Sequence, residues 1–336
     1  MAKSVSPFRS ASSQMPPLTL SVGQLFVQSQ LCTKPQLPPK DLDLSGQTAI
    51  ITGSNNGIGF ACAKLLLQYN LSHLIMAVRS EDKGTAAAEQ LRRTSASTSP
   101  QIDVWKLDMG SYRSIEDFAK HCETLPRIDL VILNAGMGDI TFHLNKATGH
   151  QEIVQVNFLS TMYLSVLLLP ILKTRAPNTK PGRLTIADHI ISALDSEANF
   201  DGMGYYGKSK LLGHFFIDRL SQHVDPSDVV INLVDPGMTK GTGLMDKGTW
   251  LMRMAMAMAT RLVGRTQEQA ASTYVDAAIV KGEESHGSYL MDWKIYPFGS
   301  YYYTGEGKGV QDRIWREVMD EFAFANIEDI IRSLKK

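Results

Sequence analysis

Cysteine is scarce in this chain. Its 336 residues hold three, Cys32, Cys62 and Cys122, scattered without metal-ligand or disulfide spacing. A disulfide scaffold and a cysteine-held metal are set aside, no metal is expected, and the pattern suits a reducing compartment, the cytoplasm. An excess of one charge is lacking as well: Lys and Arg number 34, Asp and Glu 34. No global field therefore recommends nucleic acid or an anionic membrane as partner. The longest apolar run, residues 158–172, is interrupted by Ser160, Thr161, Ser165 and Pro170. It falls short of the ~20 residues that a bilayer span needs and reads as a buried core helix, so no integral membrane segment is expected. Acidic residues are missing from the first forty positions, whose side-chain charges are Lys3, Arg9, Lys34 and Lys40. Arginine is too sparse there for a transit peptide. The segment reads as a flexible tail through about Leu18, then a short stretch docking on the domain.

Hydrophobic residues at 43% and charged residues at 20% fit a globular enzyme. From Gln47 onward, short apolar runs alternate with helical patterns. Strands are expected at Thr48–Ile51, Leu74–Val78, Val104–Leu107, Leu130–Leu133, Leu184–Ala187 and Val229–Leu233, with helices between them. Continuous apolar strands alternating with helices predict an α/β fold, a doubly wound parallel sheet covered on both faces. The expected organisation is an N-terminal extension (1–44), one Rossmann-type domain (45–296) and a C-terminal tail helix (297–336). No internal repeat is evident.

The stretch Thr52-Gly-Ser-Asn-Asn-Gly-Ile-Gly59 lies between an expected strand and a helix. That context turns a glycine pattern into a phosphate site: Gly53 permits the tight turn, Gly57 lets a pyrophosphate approach, and Gly59 allows close helix packing. Ser54, Asn55 and Ile58 belong to the same cofactor-binding turn. An acid at the end of the second strand would bind the ribose hydroxyls of NAD. Here the chain has Arg79 and Ser80 instead, suited to a charge-assisted contact with a 2′-phosphate, so NADP(H) is the expected cofactor.

These residues, with Asn134-Ala135-Gly136 and Tyr206-Gly-Lys-Ser-Lys210, follow the order and spacing of the short-chain dehydrogenase/reductase family, which the chain resembles from about Gly46 to Leu290. Pro236-Gly237 falls where that family places a Pro-Gly after its sixth strand. Gln24-Leu25-Phe26-Val27 and residues 282–287 are similar to a fungal subgroup associated with secondary metabolism. The resemblance implies that Tyr206 is the acid that protonates a substrate oxygen, and that Lys210 stabilises its anion and holds the nicotinamide ribose. Tyr206 and Lys210 are four apart, on one helical face. It also implies that Asn157 supports a proton relay, that Asp108 and Met109 border the adenine, and that Asn134 lines the cleft. Thr239 or Thr242 would bond the carboxamide or phosphate. Dimers or tetramers are the family's usual assemblies.

One departure stands out. Where the family has its substrate-binding serine, this chain reads Asp188-His189, and Ser192 is the nearest serine downstream. Either His189 or Ser192 holds the substrate oxygen, or carbonyl reduction is weakened or replaced. Histidine can polarise a carbonyl near neutral pH, although consecutive strand residues face opposite ways, so Asp188 and His189 would not both face the substrate.

Residues 239–264 correspond to the family's substrate lid. Met245, Met252, Met254, Met256 and Met258 would give it a soft apolar surface or simply a core helix. A fairly large apolar small-molecule substrate follows from the lid reading. The leading reading is an NADPH-dependent reductase of a ketone or aldehyde. Its rivals are a cofactor-retaining isomerase, dehydratase or cyclase with little net hydride transfer, and a non-catalytic NADPH-binding scaffold. Tyr206, Lys210 and Asn157 argue against the last.

Overall fold

The computed structural model describes residues 8–94, 99–138, 141–177, 179–187, 204–241 and 261–335, with the backbone alone at 22 and 204–211. Two short helices open the chain, α1 (Ala11–Gln14) and α2 (Val22–Val27), each begun by a serine that accepts a backbone N–H. At α2, Ser21 and Gln24 form a reciprocal capping box. β1 (Thr48–Thr52), β2 (His73–Val78), β3 (Gln101–Lys106) and β4 (Leu130–Leu133) follow, with α3 (Gly57–Gln68), α4 (Glu81–Thr94) and α5 (Tyr112–Cys122) as crossovers. β1 and β4 are buried at every position. This is why they read as unbroken apolar runs rather than alternating ones.

The next crossover is α6 (Glu152–Val154), a π-helical turn at Gln155–Leu159 and α7 (Ser160–Arg175), running without a break. The whole helix, Glu152–Arg175, has mean hydropathy 1.6 over an 18-residue window, long and apolar enough to cross a membrane. However, 78% of that window is buried inside the protein. It is the core helix expected from the sequence, longer than the apolar run suggested because polar residues ahead of that run, Gln155 and Asn157, are buried too. β5 (Gly182–Ala187), α8 (Gly204–Ser221), β6 (Val229–Asp235), α9 (Gln267–Val275) and the hairpin β7 (Tyr289–Met291) and β8 (Lys294–Tyr296) complete the sheet.

The strand order is β3-β2-β1-β4-β5-β6-β7-β8, parallel except for the last pair. Ile51 pairs with Met76 on one side and Ile132 on the other, so β1 is the point from which the chain winds outward both ways. In such sheets ligands bind outside the carboxyl ends at this switch point. The short β7–β8 hairpin was not expected. Three-residue strands carry no usable periodicity, and the turn is made by Asp292 and Trp293 at positive φ.

Two apolar layers cover the sheet. Ile50, Ile75, Val131 and Leu184 meet α5, α7 and α8 on one face, while Ala49, Ile51, Leu74 and Met76 meet α3, α4 and α9 on the other. The C-terminal helices α10 (Gly305–Glu321) and α11 (Ile327–Ser333) add Ile314, Val318, Ile327 and Ile331 to the first layer. The N-terminus departs from the expected free tail. From Phe8 it is described, and Ser10 and Ser12 are buried. The Ser10 hydroxyl donates to Asp218 Oδ1 at 2.7 Å, and Ser12 bridges the hairpin by donating to Tyr296 O at 2.5 Å and accepting from Tyr289 N at 2.9 Å. Small hydroxyls do this docking, so no apolar pattern announced it.

Candidate active site

β1 ends in a turn that is stapled to the end of β4. Asn134 Nδ2 donates to Thr52 O at 2.9 Å and Gly53 O at 3.2 Å, and Ala135 N donates to the Thr52 hydroxyl at 2.9 Å. Gly53 takes φ +65°, and its N–H donates to Ala77 O at 2.8 Å, adding β2 to the junction. A Cβ on Gly59 would lie 2.4 Å from Asn134 Nδ2 and 2.7 Å from Gly53 O. The third glycine of the pattern is thus needed for packing the helix against the turn. The Ser54 hydroxyl points inward and donates to Ile51 O at 3.0 Å, and Ile58 is buried in the apolar layer. Both therefore contribute backbone, not side chain, to the cleft surface. Asn55 is half-buried, and Asn56, the N-cap of α3, makes no side-chain cap bond. The positive end of the α3 dipole adjoins this cradle.

At the carboxyl end of β2, Arg79 is exposed and Ser80 is half-buried beside the start of α4. Val78 pairs with Lys106, whose ammonium donates to Arg79 O at 2.6 Å. A second exposed cation therefore stands beside Arg79. Sequence reasoning missed Lys106 because only the parallel register of β2 and β3 brings it there. Asp108 closes the next turn: its Oδ1 accepts from Gly110 N at 2.9 Å, and its own N–H donates to Ser114 Oγ at 2.9 Å. Met109 is buried, with its carbonyl accepting from Ser160 Oγ at 2.5 Å.

Asn157 lies in the π turn, a single-turn widening often found at functional positions. Its amide is paired with one residue of the loop after β4. Met137 N donates to Asn157 Oδ1 at 2.7 Å, and Asn157 Nδ2 donates to Met137 O at 2.9 Å. The α8 backbone is helical through Tyr206 and Lys210, setting them one turn apart; their side chains lie outside the described residues. His189, Ser192 and residues 242–260, including Thr242 and the five methionines, also lie outside them. α8 is braced from behind by the C-terminal tail: Trp315 stacks on Phe216 at 5.3 Å, and Gln311 Nε2 donates to Phe215 O at 3.2 Å.

After β6, Asp235 Oδ1 accepts from Gly237 N at 2.7 Å, and Asp235 Oδ2 accepts from the Tyr289 hydroxyl at 3.0 Å. The Thr239 hydroxyl donates to Gly237 O at 3.0 Å. Arg265, with no motif to mark it, donates from Nη1 to Pro236 O at 3.1 Å. The fold thus brings the glycine turn, Asn134 and the Arg79–Lys106 pair to one edge of the sheet, with Asp108 and the Pro236–Thr239 loop at the same edge. Among the described residues no cluster of His, Cys, Asp and Glu is arranged to hold a metal ion.

Residues 47–250 match the family model described as short chain dehydrogenase. A short chain dehydrogenase/reductase of Annulohypoxylon moriforme, mfmJ, is 42% identical, covering 97% of this chain and 99% of that one. The short chain dehydrogenase virL of Hypocrea virens is 40% identical over 90% of this chain and 93% of its own length. In fold, the chain is similar to a short-chain dehydrogenase from Sphingobium yanoikuyae solved with NADPH, at TM-score 0.51 and 21% identity, over 68% of this chain and 83% of that one. The chain belongs to the short-chain dehydrogenase family and is an NAD(P)-dependent oxidoreductase of that type.

Proposed function

We propose that the protein is an NADPH-dependent reductase of a ketone or aldehyde carried on a fairly large apolar small molecule, working in reverse as an alcohol dehydrogenase. The observation that carries the nucleotide choice is the exposed Arg79 at the end of β2, with the Lys106 ammonium on its carbonyl and no carboxylate in the position that would bind a free ribose diol. Two cations at one strand end favour a phosphate. The NADPH in the complex from Sphingobium yanoikuyae is consistent with that choice. The cradle fits the cofactor: Gly53 packs against Ala135, where a Cβ would meet Ala135 Cα at 3.0 Å, while Gly57, at φ +59° and with nothing within 4 Å of the place a Cβ would take, leaves bare backbone open at the start of α3.

When bound, the nicotinamide would supply the hydride. Tyr206 donates a proton to the substrate oxygen, Lys210 one turn away lowers the cost of the phenolate, and Asn157 keeps the loop after β4 in place and supports the relay. Pro236, Gly237 and Thr239 wall the nicotinamide end, Asp108 borders the adenine, and His189 or Ser192 holds the substrate oxygen. The fungal relatives favour an intermediate of secondary metabolism as substrate. The Asp188-His189 sequence in place of the family serine favours a second reading, a cofactor-retaining isomerase, dehydratase or cyclase. Affinity for NADPH against NADH, followed by nicotinamide fluorescence, tests the nucleotide. NADPH binding at least tenfold tighter supports it, and equal binding contradicts it. Replacing Tyr206 with Phe tests the acid: turnover is lost while NADPH still binds, and a fully active variant removes Tyr206 from the chemistry.

A further inference from the structure

The loop that follows β6 is gripped from behind by side chains remote in sequence. Besides its bond to Pro236 O, Arg265 pairs by backbone with the loop: Arg265 N donates to Met238 O at 2.8 Å, and Lys240 N donates to Arg265 O at 2.9 Å. The guanidinium forms an ion pair with Asp292, the two side chains 4% and 2% exposed, and lies 4.8 Å from the centre of the Trp293 ring. The N-terminal extension completes the cluster. The Ser29 hydroxyl donates to Asp292 Oδ1 at 2.8 Å, and Arg265 Nη2 donates to Ser29 O at 3.2 Å. With its amide turned to satisfy both groups, Gln30 donates to Met238 O and accepts from Met238 N, each at 3.2 Å. Gly237 takes φ +73°, and a Cβ there would come within 2.7 Å of both Arg265 Nη1 and the Gln30 amide.

A buried ion pair adds little net stability over an apolar pair of the same volume. What it adds here is direction. Arg265 and Gln30 are bonded to backbone atoms of the loop, and Ser29 and Asp292 Oδ1 are bonded to each other behind them, so the loop is held from several points at once; Asp292 Oδ2 is buried without a hydrogen-bond partner. Ser29 and Gln30 lie in the π-helical turn Gln28–Cys32, well before the first strand of the domain. Arg79 and Asp108 lie at the ends of β2 and β3, separated from β6 by β1, β4 and β5.

We propose that Ser29 and Gln30 of the N-terminal extension are positioning residues for the nicotinamide half of the site, acting on Pro236–Thr239 through Arg265, Asp292 and Met238. The inference rests on the reading of that loop as the nicotinamide wall. It implies that the extension controls one half of the cofactor site and leaves the adenine half untouched.

The test uses the full chain with Gln30→Ala, alone and with Ser29→Ala, and titrates two probes by calorimetry. NADPH spans both halves, whereas 2′,5′-ADP carries only the adenine ribose and its 2′-phosphate. Loss of one or two hydrogen bonds to the loop predicts about tenfold weaker NADPH binding, with 2′,5′-ADP affinity nearly unchanged even though the thermal midpoint falls slightly. Equal weakening of both probes would mean a general effect on the fold and would overturn the proposal, as would no change in either. If the double variant does not fold, Gln30→Ala alone decides. Wild-type protein that binds neither probe would instead overturn the nucleotide-site reading beneath it.

Discussion

Asn157 and Met137 form a closed pair in which the side-chain amide of one meets both backbone groups of the other, at 2.7 and 2.9 Å. The bond joins the π turn before α7 to the loop after β4, and through Asn134 that loop continues to the glycine turn. The relay residue of the sequence reading is therefore also a structural clamp, its side chain engaged by the protein itself. Asn157→Ala would leave the half-buried N–H and C=O of Met137 without this partner, at a cost of about 1 kcal/mol. The expected result is a lower thermal midpoint and a kcat reduced more than the KM for NADPH. A variant with wild-type kcat would show that the clamp is dispensable for turnover.

Gly59 allows α3 to lie against Asn134 and the Gly53 carbonyl. Gly59→Ala must displace one of them, because the added carbon would sit 2.4 Å from Asn134 Nδ2. Overpacking of this kind costs about 1–3 kcal/mol, and here it falls on the nucleotide cradle. Affinity for NADPH should drop by about tenfold or more at that cost, measured by fluorescence titration. Retained affinity would mean that the turn shifts without consequence for the ligand.

The nucleotide preference should be separable from turnover. Arg79→Ala removes a charge-assisted contact and should raise the KM for NADPH by about ten- to a hundredfold while leaving the KM for NADH nearly unchanged. Lys106→Ala should act in the same direction by about threefold, as befits an exposed charge. Parallel losses with both nucleotides in either variant would contradict a role at the 2′-phosphate.

His223 gives the fold a pH dependence of predictable sign. Its ring stacks on Trp315 at 5.3 Å and 9°, and burial first, then Lys335 and Arg219, lower its pKa from 6.5 to about 4. The unfolded chain therefore binds a proton that the folded chain refuses between these values, so stability is present above pH 6.5 and is lost as pH falls toward about 4. His223→Gln should flatten that limb in urea denaturation at a series of pH values. Identical slopes for the two proteins would remove His223 as a cause.

The sheet and the glycine turn were legible because each central strand is buried on both faces and announces itself as an apolar run. Arg79 was legible from its place after β2. Lys106 was not, since it becomes Arg79's neighbour only through the pairing of Val78 with Lys106. Arg265, Asp292, Ser29 and Gln30 gave no signal because they are single polar residues spread over 264 positions, from Ser29 to Asp292. Their meaning lies wholly in a tertiary cluster. The docking of Ser10 and Ser12 was hidden for the same reason, and a polar N-terminal stretch read as a free tail.

The proposed function turns on net hydride transfer from NADPH in a chain that reads Asp188-His189 at the family's serine position. Its most direct test is a single-turnover experiment with purified protein, stoichiometric NADPH and a panel of apolar ketones, following nicotinamide absorbance together with product analysis. The expected result is loss of reduced-nicotinamide absorbance matched mole for mole by alcohol. Product formed while NADPH stays unchanged would contradict it and assign the protein to cofactor-retaining chemistry.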